Sequence, residues 1–571
     1  MTTQTTTEPP TPRLRAPRWP ALTLSLLSVP IIFWGLGSAS LGHGDEGFYQ
    51  LVARHMLESG DFTRLEFTGE HRIYDTLLNA PIHYWAKAGL IWAFGDNYWT
   101  MRILSALFGL LTVLATYRLT ARVAHHTAGF VAGLLLLTTY QFIHYHGARV
   151  GVLEPLVAFC LVMIADSFLR AVERGRGFVG HNVYLIALVN LKSPLLIVPV
   201  FAELFYFAIT PAARRRFVRW ALTGLAMLPL GFVWHGYQYF KLGHEQFGEA
   251  VAKMTGKASG ETVPREDVGV AHHARYYGQT MLFGAFPTIL LVPAALPGLL
   301  AVRRRCTRPN SLRMLWLMPG CLLAFFLVVS KYYSWYMIPL YPFLCALVAV
   351  WLDETRRATR TTPLIAVAAG FVALVCVLQP DIFDLNPYAT RRMDVHVMTI
   401  GSLSPWVAFA GAVALSAIGL AIARRAMGSR FAPGLAWAMT VVLVGYGGVR
   451  VLAPQRFIGY QSPMAELRRQ IDADLAAGRK LEFPIPITEA GNPKVRYYFG
   501  NDFVIRKVDR DGVFYELVDF GQTPMNPTRS AMYYRPRAEL PDRQRLRQRN
   551  ATTQQGDESR EPPRRRERGE P

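Results

Sequence analysis

Residues 43–85 read HGDEGFYQLVARHMLESGDFTRLEFTGEHRIYDTLLNAPIHYW and follow directly on the first long apolar run of the chain. Asp45 and Glu46 stand side by side where the chain leaves that run, ahead of a segment with helical spacing that stops at Ser59-Gly60-Asp61. Two acids at such a boundary are typical of a solvated loop, but also of a reactive carboxylate at the lip of a cavity. The rest of the chain is needed to choose between these interpretations.

The composition predicts a protein that crosses a membrane many times. Apolar residues make up 51% of the 571 residues and charged residues only 18%, and the apolar residues fall in long blocks. Runs of about 20 apolar residues span a bilayer as helices. The net charge of +21 comes mostly from arginines in short loops and in the C-terminal tail, so it indicates topology and no nucleic-acid partner. The five cysteines lack metal-ligand spacing and offer no disulfide framework.

Thirteen apolar runs are candidate spans, and the first is interpreted as a retained signal-anchor helix. The runs cover residues 20–41, 101–119, 127–143, 152–169, 178–190, 193–209, 220–239, 281–302, 314–329, 335–351, 363–378, 405–422 and 432–449. Arginines precede the first run, which places the N-terminal segment 1–19 in the cytoplasm. The later arginine clusters between runs also lie inside, but only if 178–209 forms two helices. The C-terminus is then expected outside.

This topology predicts four regions. After the cytoplasmic segment 1–19 comes an all-α transmembrane domain over 20–453, whose first outer loop is 43–98. Residues 454–535 are expected to form a small α/β domain outside the membrane, with strands at 495–499, 503–507 and 513–518. Residues 536–571 are rich in Arg, Gln, Glu and Pro and are predicted to be disordered.

Polar side chains converge on the outer ends of the predicted spans. They are Arg149, Glu154, Lys192, His272, His273, Arg275, Lys331, Tyr333 and Tyr336. Any one of them is readily explained as an anchor at the membrane interface. Acids, histidines and cations together on one side predict a cavity that opens to the outer face.

A carboxylate base beside cations suits the attack of a hydroxyl on a carbon that bears a phosphate leaving group. The carboxylate takes the proton, and Lys or Arg stabilises the departing phosphate. A set of His, Asp and Glu could also hold a divalent metal, for which the pair His272-His273 is the candidate. The chain has no Walker motif and no GxGxxG after a strand, so the phosphate is expected to belong to a lipid.

The first loop resembles that of the GT-C class of integral-membrane glycosyltransferases, above all the bacterial lipid A aminoarabinose transferases and their protein O-mannosyltransferase relatives. The matching residues are Asp45-Glu46 with Tyr49, 53–61 (ARHMLESGD), 81–85 (PIHYW), Phe94-Gly95, 102–107 (RILSAL), 149–155 (RVGVLEP), 191–194 (LKSP), 272–277 (HHARYY) and 330–342 (SKYYSWYMIPLYP). The resemblance covers roughly residues 20 to 350.

The resemblance implies a role for each matching residue. Asp45 would be the base on the acceptor hydroxyl, Glu46 its support and Glu154 the second acid. Donor contacts would come from Lys192, Arg149 and Tyr336, and His272 or His273 would be a site or metal residue. Further candidates for donor binding are Arg275, Lys331, Asn79, His83 and Tyr84.

One motif departs from the family. Aminoarabinose transferases carry Glu-Lys-Pro-Pro ahead of the His-Tyr-Trp, whereas this chain reads Leu78-Asn79-Ala80-Pro81. Both charged members are absent, which argues against bound zinc and against aminoarabinose as the sugar. Another cation must then hold the phosphate, and Lys192, Arg149, Arg275 and Arg72 are the candidates.

The sequence therefore predicts an inverting glycosyltransferase of the bacterial inner membrane, with its active site outside. It would move a monosaccharide from a polyprenyl-phosphate donor to a glycolipid, an envelope glycan or a protein hydroxyl. Two alternatives remain: a lipid-linked sugar transporter or flippase, for which Glu203 inside a span is the supporting residue, and a non-catalytic GT-C scaffold.

Overall fold

The structure is a computed structural model, and it falls into two units, Met1–Tyr460 and Gln461–Pro571. In the first unit it describes residues 19–41, 44–65, 81–254, 270–296, 310–329, 333–380, 395–397 and 404–457. In the second it describes short pieces only, the longest being 513–518 and 531–535. The predictions for the segment before residue 19, for Arg72, Leu78, Asn79 and Lys331, and for the tail lie outside the described residues.

The first unit is built from helices, as the apolar runs predict. They are α1 (Trp19–Ser28), α2 (Gly44–Ser59), α3 (Ile82–Phe94), α4 (Tyr98–Val123), α5 (His126–Leu137), α6 (Tyr140–Ile143), α7 (Glu154–Arg174), α8 (Phe178–Lys192), α9 (Ile197–Ile209), α10 (Pro211–Arg214), α11 (Phe217–Gly231), α12 (Val233–Met254), α13 (Val270–Ala285), α14 (Leu312–Val328), α15 (Tyr341–Thr355), α16 (Thr362–Val377), α17 (Pro405–Met427) and α18 (Phe431–Leu452).

The buried centre is formed by α4, α7 and α15. Helix α4 begins at a capping box in which the Asn97 side chain accepts hydrogen bonds from the amides of Trp99 and Thr100, and the Thr100 hydroxyl oxygen accepts one from the Asn97 amide. Gly109 in α4 lets the loop before α7 approach closely, because an added Cβ would lie 2.3 Å from the Cβ of Ala148. The loop that carries residues 144–153 is therefore held against the central helix.

The chain is a multi-pass membrane protein by the length and composition of its helices. Among the described residues, six helical stretches are long and apolar enough to cross a bilayer, or seven if a bent pair counts as one. They are Tyr98–Val123, Glu154–Arg174, Phe178–Ile209, Phe217–Glu249, Ser334–Thr355 and Trp406–Gln455, with the pair Val270–Ala285 and Thr288–Leu296 bent by 116°. Several other predicted runs form apolar helices of 10–17 residues, so the count of thirteen stays a prediction.

The stretch Phe178–Ile209 contains a reversal of the chain, although it is mostly apolar and is counted above as one stretch. His181 Nε2 in α8 lies 3.2 Å from Glu203 Oε2 in α9, whereas a straight helix would separate these residues by about 33 Å. The reversal falls at the 3₁₀ turn Ser193–Leu196. Trp220 of α11 donates to the same Glu203 oxygen at 2.6 Å, so the acid joins three helices.

Strands are short and few in the described residues. In the first unit β1 (Leu378–Pro380) pairs antiparallel with β2 (Val395–Val397). In the second unit β4 (Val513–Val518) is the middle strand of a sheet, parallel to β3 (Leu481–Glu482) and antiparallel to β5 (Ala531–Arg535). Strand β4 coincides with a predicted strand. The two strands predicted at 495–499 and 503–507 lie outside the described residues.

Candidate active site

Glu46 is an anchor of the first loop. Its carboxylate is 0% exposed and receives a bidentate contact from Arg102 of α4, with Nε–Oε1 at 2.8 Å and Nη2–Oε2 at 3.3 Å. The amide of Gly151 donates to Oε1 at 2.9 Å. Arg102 also donates to the carbonyls of Leu36, Ala39 and Ser40, at 2.7–3.0 Å. This buried pair fixes the start of α2 against α4.

Asp45, the neighbouring acid, faces the other way. Successive residues on a helix point about 100° apart, so burial of Glu46 turns Asp45 outward, and its side chain is 42% exposed. Its Oδ2 lies 3.9 Å from Nδ1 of the buried His146. Asp45 also lies within electrostatic range of the hydroxyls of Tyr145 and Tyr336. It is therefore an accessible carboxylate that lies beside the buried His146 and near two partly buried tyrosines.

Lys192 and Glu154 meet in the structure. Lys192 Nζ lies 3.6 Å from Glu154 Oε1, and the side chains are 13% and 5% exposed. The same ammonium lies 4.6 Å from the ring centroid of Tyr336, a cation–π contact. Glu154 Oε2 has no hydrogen-bond partner among the described residues. Three residues predicted for the site, from three different elements, thus form one cluster of a carboxylate, a cation and an aromatic ring.

Arg149, predicted to contact the donor phosphate, has its guanidinium against backbone carbonyls. Its Nη1 donates to the carbonyls of Ile31 and Ile32 at 3.0 Å, and its Nη2 to that of Trp34 at 2.8 Å. Carbonyls at the end of a helix lack intrahelical partners. Arg149 donates to those that follow α1, whereas Lys192 is a cation that the described residues bring to the cluster.

A series of contacting aromatic rings connects this cluster to His273. Tyr336 stacks on Phe326 at 4.9 Å, Phe326 contacts Tyr277 at 6.2 Å, and Tyr277 contacts His273 at 6.4 Å between ring centroids. His273 is buried and its Nδ1 lies 3.1 Å from the carbonyl of Leu327.

The two histidines predicted to hold a metal, His272 and His273, point in different directions. His272 is exposed whereas His273 is buried, because adjacent positions on α13 face different directions. Arg275, another predicted donor contact on this helix, is exposed. Within the described ranges there is no group of three His, Cys, Asp or Glu side chains placed to hold a metal ion.

His83 and Tyr84 belong to an aromatic cluster between α2 and α3. The His83 ring meets Tyr49 edge-on at 4.9 Å, and Tyr49 lies one helical turn after Asp45. Neither ring nitrogen of His83 has a hydrogen-bond partner in the described part of the chain. Burial, and then the nearby Lys87, lower the pKa of His83 well below its usual value, which favours the neutral imidazole. Tyr84 is fully buried and packs on Tyr49 at 5.7 Å.

The first loop also docks on α12. Thr63 is held by Lys241 Nζ at 2.6 Å and through its carbonyl by Gln238 at 3.0 Å. Asp61 accepts from the Thr63 hydroxyl at 2.6 Å and from its amide at 2.8 Å, and these bonds lower the pKa of Asp61. This acid is therefore held by a neighbouring residue of the loop.

Sequence reasoning assigned no role to His146 or Trp335, and it quoted Arg102 only as part of a motif. Arg102 carries a usable signal, since a charge within the apolar run 101–119 is costly unless it is paired. The stacking of His146 on Trp335 cannot be predicted from the sequence, because the two residues come from distant segments.

Residues 79–234 match the family model described as dolichyl-phosphate-mannose-protein mannosyltransferase. Two curated relatives are similar in sequence. An uncharacterized protein of Aquifex aeolicus is 25% identical over 238 residues, 40% of this chain and 46% of that protein. The undecaprenyl phosphate-alpha-4-amino-4-deoxy-L-arabinose arabinosyl transferase 2 of Sodalis glossinidius is 28% identical over 143 residues, 25% of each chain. The chain thus aligns with less than half the length of each.

The fold is similar to that of ArnT from Cupriavidus metallidurans. Its apo structure matches with a TM-score of 0.57 at 19% identity, covering 84% of this chain and 83% of that one. ArnT bound to undecaprenyl phosphate matches with the same score, covering 85% of each chain. The GT-C fold implied by the first-loop resemblance is therefore present, over most of the chain.

Proposed function

We propose that this chain, which has the GT-C fold, is a membrane glycosyltransferase that uses a polyprenyl-phosphate-linked monosaccharide. The observation that carries the proposal is the placement of Lys192 between Glu154 at 3.6 Å and the Tyr336 ring at 4.6 Å, in a site that also contains the exposed Asp45. A mostly buried cation with one carboxylate partner can turn to a second anion, and a phosphate suits it. Undecaprenyl phosphate is the ligand bound to ArnT.

The reaction is a single displacement. The acceptor oxygen attacks the anomeric carbon while its proton passes to the Asp45 carboxylate. The bond from that carbon to the phosphate oxygen breaks, and the electron pair stays on the phosphate, whose charge Lys192 stabilises. Glu154 holds Lys192 in place before the donor binds. One displacement inverts the anomeric configuration.

The acceptor and the location are parts of the same proposal. A hydroxyl of a glycolipid or an envelope glycan is favoured over a protein hydroxyl, on the outer face of a bacterial inner membrane. The thirteen-span topology with an outer C-terminal domain belongs here as well. The reversal at Ser193–Leu196 supports it, because the arginine clusters then share one side of the membrane.

Purified protein in lipid nanodiscs tests the proposal. A panel of polyprenyl-phosphate sugars is supplied with host lipid extract, and release of free polyprenyl phosphate is measured. We expect release with one sugar, and Lys192→Met to lower kcat by about ten- to a hundredfold, since a hydrogen bond to a charged group contributes about 1.5–3 kcal/mol. Lys192→Arg keeps the charge and is expected to retain more activity.

Lys241→Met is the matched control, because Lys241 is also paired with an acid but lies on α12, away from the cluster. It is expected to leave kcat within a few-fold. Absence of release with every sugar and with both lipid and protein acceptors would contradict the proposed donor class.

Activity is expected to survive treatment with EDTA. The family's glutamate ligand is replaced by Leu78, whose side chain cannot coordinate a cation. Initial rates before and after chelation and dialysis check this, with added Mg²⁺, Mn²⁺ and Zn²⁺ as reciprocal tests. A loss that one of these metals restores would contradict the prediction.

The transport alternative rests on Glu203, an acid inside an apolar run. In the structure Glu203 is enclosed by His181 and Trp220, so it links α8, α9 and α11. That gives the acid a structural role without a transported ligand. The non-catalytic alternative predicts no transfer that depends on Asp45, which the experiment on Asp45 described below distinguishes.

A further inference from the structure

His146 has a backbone conformation that is unusual for a residue with a side chain. Its φ is +54°, and no other non-glycine residue in the described ranges has a positive φ. The turn is closed by the amide of Ala148, which donates to the carbonyl of Phe142 at 2.8 Å. Gly147 has no room for a side chain, since a Cβ would lie 2.1 Å from the same carbonyl oxygen. Left-handed backbone at a bulky residue persists where the surroundings enforce it, often at functional sites.

The imidazole of His146 is fixed as firmly as its backbone. It is fully buried and stacks flat on Trp335, with ring centroids 3.9 Å apart and planes inclined by 8°. Tyr333 also stacks on Trp335, at 4.5 Å. These aromatic residues immediately precede Tyr336, which contacts Lys192. The turn and the stack together set the direction in which the ring nitrogens point.

That direction is toward Asp45. His146 Nδ1 lies 3.9 Å from Asp45 Oδ2, which is longer than a hydrogen bond of 2.7–3.2 Å. Catalytic hydrogen bonds are often long before substrate binds and shorten in the complex. A rigid imidazole beside a half-exposed carboxylate is a suitable partner for a base that must keep one orientation.

We propose that His146 is a positioning residue for Asp45, an inference that rests on the proposed function of Asp45 as the base. Its Nδ1–H donates to Oδ2, so that Oδ1 faces the acceptor hydroxyl. The hydroxyl proton moves to Oδ1 as the new carbon–oxygen bond forms, and the leaving electron pair stays on the phosphate. His146 keeps its own proton throughout. The left-handed turn and the Trp335 stack hold the imidazole in the orientation that this bond requires.

The test uses variants that tolerate the left-handed backbone. His146→Gly keeps the turn but removes the donor, and kcat is expected to fall roughly ten- to a hundredfold, as for a misplaced catalytic group, with the donor KM within a few-fold. His146→Asn also tolerates positive φ and supplies an amide N–H, so it is expected to recover most of kcat. In an Asp45→Asn background, His146→Gly is expected to cause no further loss. An unchanged kcat, or an equal loss in both backgrounds, would overturn the proposal.

His144→Asn is the matched control. His144 lies in the same turn and is buried, but its Nε2 contacts the carbonyl of Val451 at 2.6 Å. This variant can lower the unfolding temperature but is expected to keep the kcat of the folded protein.

A second readout does not need activity. Labelling of Asp45 by a water-soluble carbodiimide, which requires the protonated carboxyl, is carried out with polyprenyl phosphate bound, the state in which the contact between His146 and Asp45 is expected to shorten, and is followed by mass spectrometry. Loss of the Nδ1–H bond favours protonation of Asp45, so labelling is expected to rise in His146→Gly and not in His144→Asn. Unchanged labelling in His146→Gly would overturn the positioning role. Wild-type protein that labels as expected but transfers no sugar would instead overturn the proposed function.

Discussion

Asp45→Asn is expected to lower sugar transfer by about 10²–10⁴-fold, the contribution of a positioned general base. The amide has nearly the shape of the carboxylate but cannot accept the hydroxyl proton. Asp45 is half-exposed in the first turn of α2, and the change removes a favourable charge at a helix N-terminus, about 0.3–1 kcal/mol. The measurement is release of polyprenyl phosphate per folded enzyme, with the unfolding temperature recorded in parallel.

Asp61→Asn serves as the control for this result. Asp61 lies in the same loop, but its carboxylate is engaged by Thr63 and Lys241. We expect transfer within a few-fold of wild type for this variant. If Asp45→Asn were equally active, Asp45 would not be the base. The buried Glu154, whose Oε2 lacks a hydrogen-bond partner within the described ranges, would then be the next carboxylate to test.

The two adjacent acids, Asp45 and Glu46, show what can and what cannot be predicted from the sequence. It identified the pair and its place at the end of an apolar run, and the helix α2 that follows was expected from its spacing. It could not say which acid is buried, because that depends on where Arg102 of a later helix meets the first turn. The structure buries Glu46 completely and leaves Asp45 accessible, so the two carboxylates have different chemistry despite being neighbours.

The sequence placed Lys192 and Glu154 in one predicted site with different roles, and the structure brings Lys192 Nζ to 3.6 Å from Glu154 Oε1. Both lie where a predicted span meets the outer face, and opposite charges near an apolar core must pair. Arg149 fits the same reasoning, and in the structure its guanidinium donates to the carbonyls after α1. The sequence does not show which backbone carbonyls are left unpaired next to a cation. Contacts between distant segments, such as His146 with Trp335, cannot be predicted either, because they depend on how the helices pack.

Arg102→Met is expected to destabilise the folded protein by about 3–5 kcal/mol, because it leaves a buried carboxylate without its partner. Glu46 is 0% exposed, and the guanidinium also holds the carbonyls of Leu36, Ala39 and Ser40. Unfolding in mixed micelles, monitored by circular dichroism, measures the loss. Transfer by the remaining folded protein should fall too, since this pair fixes the start of α2 and with it Asp45.

Two comparisons separate a stranded charge from lost packing. In Glu46→Gln with Arg102→Met, the neutral amide can still accept from the Gly151 amide, so the double variant is expected to be more stable than Arg102→Met alone. Arg118→Met changes an arginine on the same helix whose side chain is 52% exposed and whose partner Asp166 retains Arg122 and Arg170. It is expected to cost within about 1 kcal/mol. Equal losses for Arg102→Met and Arg118→Met would mean that the buried pair is not what anchors the loop, and that the orientation of Asp45 depends on the turn at His146 alone.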